Sequence, residues 1–385
     1  MVDDSVISLA AIALTAMLIW VFGSLGLLTQ SGIGEFGISS VDSTTTETAA
    51  LDDYAITNGT TEATTAATGT SQTSTAAAPT VVFSNWTSKL GLKHPLLGTI
   101  WSPGRQEAVT PASLAREIAR ADLILLGEVH DNPDHHRLQA WLIGELVRKG
   151  RKPAVVLEMV GAEQSKALSN YLGKLGATAE GLGEALNWNS QWPDWRIYQP
   201  IADKALAHNL PILAGDAEAA KLDLVSRGGL RVLSESERNR IALGIPLSAA
   251  LSTALAEDVK GAHCGLIPDE DIGNMTQVQR YRDAVMADSI LAAAAKSNGG
   301  VVLITGNGHA RTDRGVPFYL RARAPQYRVL SIALMEVDDA ARDANKLVPM
   351  APDAQPAADF VWYTPRAERE DPCEALKAQL KKSSG

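Results

Sequence analysis

Blocks of uninterrupted apolar residues alternate along this chain with longer stretches whose apolar residues recur every three or four positions. The blocks fall at Leu123–Leu126, Ala154–Leu157, Pro211–Ala214 and Val301–Thr305, with two more at 328–337 and 360–363. A short apolar run bounded by turn residues is the mark of a strand covered on both faces. Between the blocks, the spacing predicts helices over 110–120, 134–149, 162–175, 179–185, 202–208, 218–225, 234–245, 248–260 and 276–296, and a short one over 316–323. Thr110 followed by Pro111 is a helix start signal. Residues 97–101 read as an edge strand, and Gly104 as a turn. The alternation predicts an α/β fold, a largely parallel sheet with helices on both faces. Three helical stretches between the third and fourth blocks exceed what a crossover needs. Residues 217–298 are therefore expected to form a helical insertion or lid on a domain spanning 86–365, with 366–385 as a C-terminal tail.

The first 85 residues break this pattern. Val6–Leu28 is an uncharged run of roughly 23 residues, enough to span a bilayer. Asp3 and Asp4 stand where a cleavable signal would carry basic residues, so an uncleaved transmembrane anchor over 1–28 is expected. Residues 29–85 are rich in Thr, Ala, Ser and Gly, with little to bury, and read as a disordered linker. Together they predict a membrane contact through 6–28 and a domain facing the periplasm or another extracytoplasmic space.

The net charge of −9 resides largely in this segment, because residues 1–88 hold eight acids and no Lys or Arg. The remainder is nearly neutral, without a basic face, which speaks against a nucleic-acid partner. Cys264 and Cys373 allow at most one disulfide and exclude a Cys-rich zinc site. Each reads as a small buried hydrophobe.

The strand ends carry the chemistry. Four apolar blocks run into polar residues: Glu128 with His130, Glu158, Asp216 and His309. In a parallel sheet all of them emerge at the carboxyl edge, where ligands bind. Glu128, His130, Glu158 and His309 suit a divalent metal, or alternatively acid–base catalysis, with Arg311 stabilising a developing anion. Asp131, Asn132, His135, Trp192, Tyr198, Asp216 and Asn307 complete the expected ligand-binding set. One of His135 and His136, which open a helix, is expected to face solvent. The sequence GNGH matches neither a dinucleotide fingerprint nor a P-loop, and no HExxH or nucleophile elbow occurs.

The segments GEVHDNPDHH (127–136), Leu157–Met159, the Trp/Tyr pattern ending at Pro200 and ITGNGHAR (304–311) resemble the ChaN family over roughly 95–335. That family is related to the Tiki/TraB and erythromycin-esterase-like proteins. The resemblance implies an α/β domain of the cell envelope that binds haem and serves haem or iron uptake, with haem or another small molecule as partner and a homodimer admitted. The related hydrolases imply metal-ligand or acid–base roles for Glu128, His130 and His309. Tyr198, His130 and His309 are each chemically able to ligate haem iron, with aromatic rings covering the porphyrin face. The choice among them stays open.

Overall fold

The computed structural model describes residues 85–383. The expected anchor, and all but the last residue of the expected linker, lie outside the described residues. Among those described, no helix is long and apolar enough to cross a membrane.

Eight strands form one sheet: β1 (Ile100–Ser102), β2 (Glu107–Val109), β3 (Leu123–Glu128), β4 (Ala154–Gly161), β5 (Ile212–Asp216), β6 (Val301–Gly306), β7 (Val329–Glu336) and β8 (Phe360–Thr364). Their order is β2-β1-β8-β7-β3-β6-β4-β5. The six strands from β8 to β5 are parallel, and the β1–β2 hairpin is antiparallel. The expected edge strand at 97–101 is therefore one position inside the edge, shielded by β2.

The helices are α1 (Pro111–Arg120), α2 (Pro133–Arg148), α3 (Ser165–Leu172), α4 (Ala179–Ala185), α5 (Trp195–Ala207), α6 (Ala219–Gly228), α7 (Glu235–Arg240), α8 (Ala249–Ala262), α9 (Asp269–Ala294), α10 (Asn307–Ala310), α11 (Val316–Arg323), α12 (Ala344–Leu347) and α13 (Pro372–Ser383). Thr110 caps α1 by accepting from the Ser113 amide, and Asn132 caps α2 by accepting from Asp134, each with Pro at the first helical position.

Strand parity divides the core in two. Ile124 and Leu126 of β3, Val155 and Leu157 of β4, and Val302 and Ile304 of β6 face α1, α2 and α5. Leu123 and Leu125, Ala154 and Val156, and Val301 and Leu303 face α6, α9 and α11. The segment 217–298 is thus not a detached lid, because α9 is itself a core helix against the sheet. Its outer part, α8, joins a small satellite cluster of Leu247, Leu255, Val259, Ile267, Met275 and Leu376.

Two further differences concern the end of the chain. Residues 366–385 were expected as a tail, yet α13 docks there, burying Leu376 against that cluster. Cys264 and Cys373, 109 positions apart, are joined in a disulfide rather than buried singly. It ties α13 to the turn after α8.

Connections leave β3 and β6, which are neighbours, toward opposite faces. From β3 the chain enters α2 on one side, and from β6 it enters α10 and α11 on the other. Such a switch point opens a crevice at the carboxyl edge of the sheet. The GEVH and GNGH segments meet there.

Candidate functional site

Glu128 ends β3 on the α2 face, almost fully buried. Oε1 accepts from the Tyr198 hydroxyl at 2.7 Å and His130 Nδ1 at 2.9 Å. Oε2 accepts from Gln139 Nε2 at 2.7 Å and His136 Nδ1 at 3.1 Å. Burial alone would push this carboxyl up, but His136 and His130 outweigh it and hold it below the ordinary carboxylate range. His136 Nε2 donates in turn to the His130 carbonyl at 3.0 Å. Both of its nitrogens face acceptors, so its pKa is raised despite burial. Glu128 is an ionised carboxylate with four donors already in place.

Glu158 points to the other face, as its place in β4 demands: Val155 and Leu157 face α2 and α5, Val156 and Glu158 face α9. Oε2 accepts from Thr305 Oγ1 at 2.6 Å and the Gly306 amide at 2.7 Å. Oε1 accepts from Arg282 Nη2 at 2.9 Å and lies 3.4 Å from His309 Nε2. Burial works to raise its pKa, but His309 and Arg282 hold it well below the usual range. His309 Nδ1 sits 2.7 Å from Asp283 Oδ1. Burial opposes the His309 cation, yet Glu158 and Asp283 raise its pKa to about 9, while burial lifts Asp283 to about 6.

His130 bridges the two faces, with Nδ1 on Glu128 and Nε2 4.0 Å from Glu158. It can lie across the sheet edge because Gly306 has no Cβ, which would come 3.0 Å from Nε2. Gly127 serves Asn307 likewise: a Cβ there would meet Asn307 Oδ1 at 2.5 Å and Ala310 Cβ at 2.9 Å. Asn307 Nδ2 donates to the Leu334 carbonyl of β7, so these two residues lock three strand ends together. Gly127→Ala is expected to cost about 1–3 kcal/mol. Urea unfolding measures it, and a loss under about 0.5 kcal/mol would show that Asn307 moves aside freely.

The four expected metal ligands therefore do not form one centre. The sheet separates the carboxylates, and the oxygens of each are taken up by protein donors. Among the described residues no three or more His, Cys, Asp or Glu side chains are grouped to hold a metal ion.

A cavity of about 330 Å³ opens between this edge and the insertion, lined by Glu128, His130, Asp283 and Gly306–His309 on one side. Leu255, Val259 and Ala262 of α8, and Met275 and Val278 of α9, form its apolar wall, with His263 and Arg314 beside them. Arg311 does not line it. Its guanidinium holds Asp313 and the Met350 carbonyl, and Arg314, held by Asp258 and Asp313, takes the cavity position.

Of the other expected ligand residues, Asp131 pairs with Arg369 at 2.7 Å, and Asn132 caps α2 and donates to Glu336 and the Pro365 carbonyl. His135 is fully buried between the Val129 amide and the Thr364 hydroxyl, and burial lowers its pKa to about 3. Neither it nor His136 faces solvent. Asp216 pairs with Arg282 and lines, with Glu158 and Trp192, a second cavity of about 190 Å³. Tyr198 lies in the core against His136 and Trp188. Only Trp192 of the two expected aromatics is partly exposed, its ring 5.2 Å from that of His130. The sequence reading missed Gln139, His263, Gln279, Arg282 and Asp283. A signal existed for the last three: Gln279, Arg282, Asp283 and Met286 recur at helical spacing on the face of α9 turned to the sheet.

The family model described as "Haem-binding uptake, Tiki superfamily, ChaN" matches residues 114–320, more than half of the chain. The chain belongs to the ChaN family. The match spans β3 to α11, and with them every residue named above as lining the first cavity. A solved structure titled as cofacial haem binding to ChaN of Campylobacter jejuni superposes with a TM-score of 0.53 at 19% identity, covering 68% of this chain and 95% of that one. At that identity the likeness speaks for the fold. Protein RETICULATA-RELATED 5, chloroplastic, of Arabidopsis thaliana is 22% identical over 269 residues, 64% of this chain and 35% of that protein. The chain thus spans about a third of the length of this curated relative.

Proposed function

We propose that this ChaN-family chain binds haem in the cavity at the switch point and serves haem or iron uptake, its domain held outside the cytoplasm by the apolar segment 6–28. The observation that carries the reading is the cavity itself. Its roughly 330 Å³ falls within the range of about 300–1,000 Å³ usual for ligand sites, and an apolar wall there faces imidazoles. That donor set suits an iron porphyrin, whose macrocycle wants apolar contact and whose iron takes axial nitrogen. Bound haem would supply that iron, and the wall of Leu255, Val259, Met275 and Val278 would hold the macrocycle. Tyr198 does not fit as ligand: burial and the neighbouring Glu128 raise its pKa well above the ordinary phenol, and its hydroxyl is spent on Glu128. The Cys264–Cys373 disulfide supports an oxidising compartment.

Titrating the full chain with haemin, followed in the Soret region, is expected to give a saturable shift that Val259→Trp, which fills the cavity, weakens. An unsaturable shift, or one indifferent to Val259→Trp, overturns the reading.

A second reading is hydrolysis, favoured by the Asp283–His309 pair on the same cavity. With its pKa near 9, His309 is a cation at neutral pH and would donate a proton to a leaving group. Turnover of p-nitrophenyl esters, lost in His309→Gln, would support it; none in the wild type would remove it.

A further inference from the structure

We propose that the Cys264–Cys373 disulfide is a redox latch on the cavity: closed, it holds the α8 wall in place, and opened by a dithiol reductant, it frees α13 and weakens ligand binding. The ligand used to read it is haem, and to that extent the latch rests on the haem reading above. The wall has little else behind it. Leu255, Val259 and Met275 line the cavity and also belong to the satellite cluster, whose other buried members are Leu247, Ile267 and Leu376. Among the described residues, none of α8 or α13 is a buried member of the two large core clusters. The pair of Asp258 with Arg314 leaves the aspartate half exposed and adds little. An element held by so few apolar contacts belongs to the part of a fold that opens first.

Helix α13 supplies one of those six buried side chains, and only Leu376 is buried among its described residues. A helix of 12 residues is marginal in water by itself. The chain before it is fixed separately, by Arg369 on Asp131 and Glu336. Beyond that anchor, among the described residues, docking rests on Leu376 and on the bond from Cys373. At the other end of the bond, Cys264 sits two residues past α8 at φ 57°, a left-handed conformation disfavoured for a residue with a Cβ. The bond fixes this turn to α13. Both cysteines are partly exposed, so a small dithiol can reach them. A thiolate of the dithiol attacks one cysteine sulfur, the S–S bond breaks, and the other cysteine leaves as a thiolate. The second thiol then displaces the first cysteine. Two electrons and two protons pass to the cysteines, which end as thiols, and the reductant ends as a disulfide. With α13 released, the wall must be ordered at the moment of binding, and that cost lowers affinity.

The test compares the full chain in three forms: oxidised, reduced with dithiothreitol that is then removed, and Cys264→Ser/Cys373→Ser, which carries no thiol that could ligate iron. Amide hydrogen exchange and haemin titration are read on each. Reduction should speed exchange across α8 and α13 while leaving β3 and β6 unchanged, which shows that the sheet stays folded. It should also weaken haemin binding about tenfold, a usual size for coupling between two sites. Reoxidation should reverse both effects, and the double variant should match the reduced chain. Should that variant fold poorly, reduction of the folded wild type carries the same test. Equal exchange and equal haemin affinity in the oxidised and reduced chains overturn the latch and leave the haem reading standing. Faster exchange with unchanged affinity overturns the coupling of the bond to the cavity. If no form gives a saturable haemin shift, the haem reading falls, and the latch stands or falls on the exchange of α8 alone.

Discussion

Arg282→Met is expected to destabilise the chain by about 3–5 kcal/mol, the range for leaving buried charge without its partner. Arg282 is 3% exposed, and its Nε donates to Asp216 Oδ2 at 2.7 Å while Nη2 reaches Glu158. Burial would lower the pKa of this guanidinium, but Asp216 and Glu158 raise it further above its ordinary value. Methionine fills a similar volume and supplies no charge, which leaves two carboxylates in the interior. Lysine should recover only part of the loss, because a single ammonium cannot address both acids as a planar fork does. The decisive comparison is the triple variant Arg282→Met/Glu158→Gln/Asp216→Asn. If the loss is electrostatic, removing all three charges restores much of the stability in urea unfolding. A triple variant as weak as Arg282→Met would assign the loss to packing, and a single-variant loss under about 1 kcal/mol would mean that water screens the cluster.

The same cluster shows what could be read from the chain and what could not. The inner parallel strands were legible because both of their faces are covered, which writes an unbroken apolar block. β2 was not: Glu107–Ala108–Val109 is three residues on an exposed edge and exists through its pairing with β1. That acids and histidines gather at the carboxyl edge was legible from the strand ends. Which face each takes was not, since it depends on the parity of every side chain along β3 and β4, and one residue of slip exchanges the faces. A register shift between Leu157 and Gly161 sits beside Glu158 itself. Parity is why Glu128 and Glu158 look like one metal centre in sequence and are two separate anchors in space. The partners that saturate them come from helices 8 to 151 positions away, and the Cys264–Cys373 link closes a comparable distance. Local spacing carries no record of such contacts. The cavity wall followed the same rule: α8 was legible as a helix, whereas its approach to GNGH depends on how α9 crosses the sheet.

Raising the pH from 6.5 to 9 is expected to remove on the order of 3 kcal/mol of stability, at about 1.4 kcal/mol per unit of pKa shift. The group responsible is His309, whose pKa rises from an ordinary 6.5 to about 9 because Glu158 and Asp283 outweigh its burial. The folded chain therefore keeps a proton that the unfolded chain has released. A raised pKa gives a contribution fully present below pH 6.5 and lost as the pH climbs through 9. His136, also raised, adds in the same direction. Asp283, raised to about 6, titrates mostly below this window and adds a smaller loss in the same direction at its start. On the acid side the sign reverses, for Glu128 and Glu158 are held low and their contributions disappear as the pH falls below about 4.5. Urea midpoints at pH 6, 7.5 and 9 for the wild type and His309→Gln measure the alkaline limb. The variant should be weaker at pH 6 and fall less steeply above it, so that the two curves converge toward pH 9. Parallel curves would show that the proton on His309 contributes nothing to folding. Convergence would instead make one imidazolium the counter-charge that lets Glu158 and Asp283 stay buried beside the cavity.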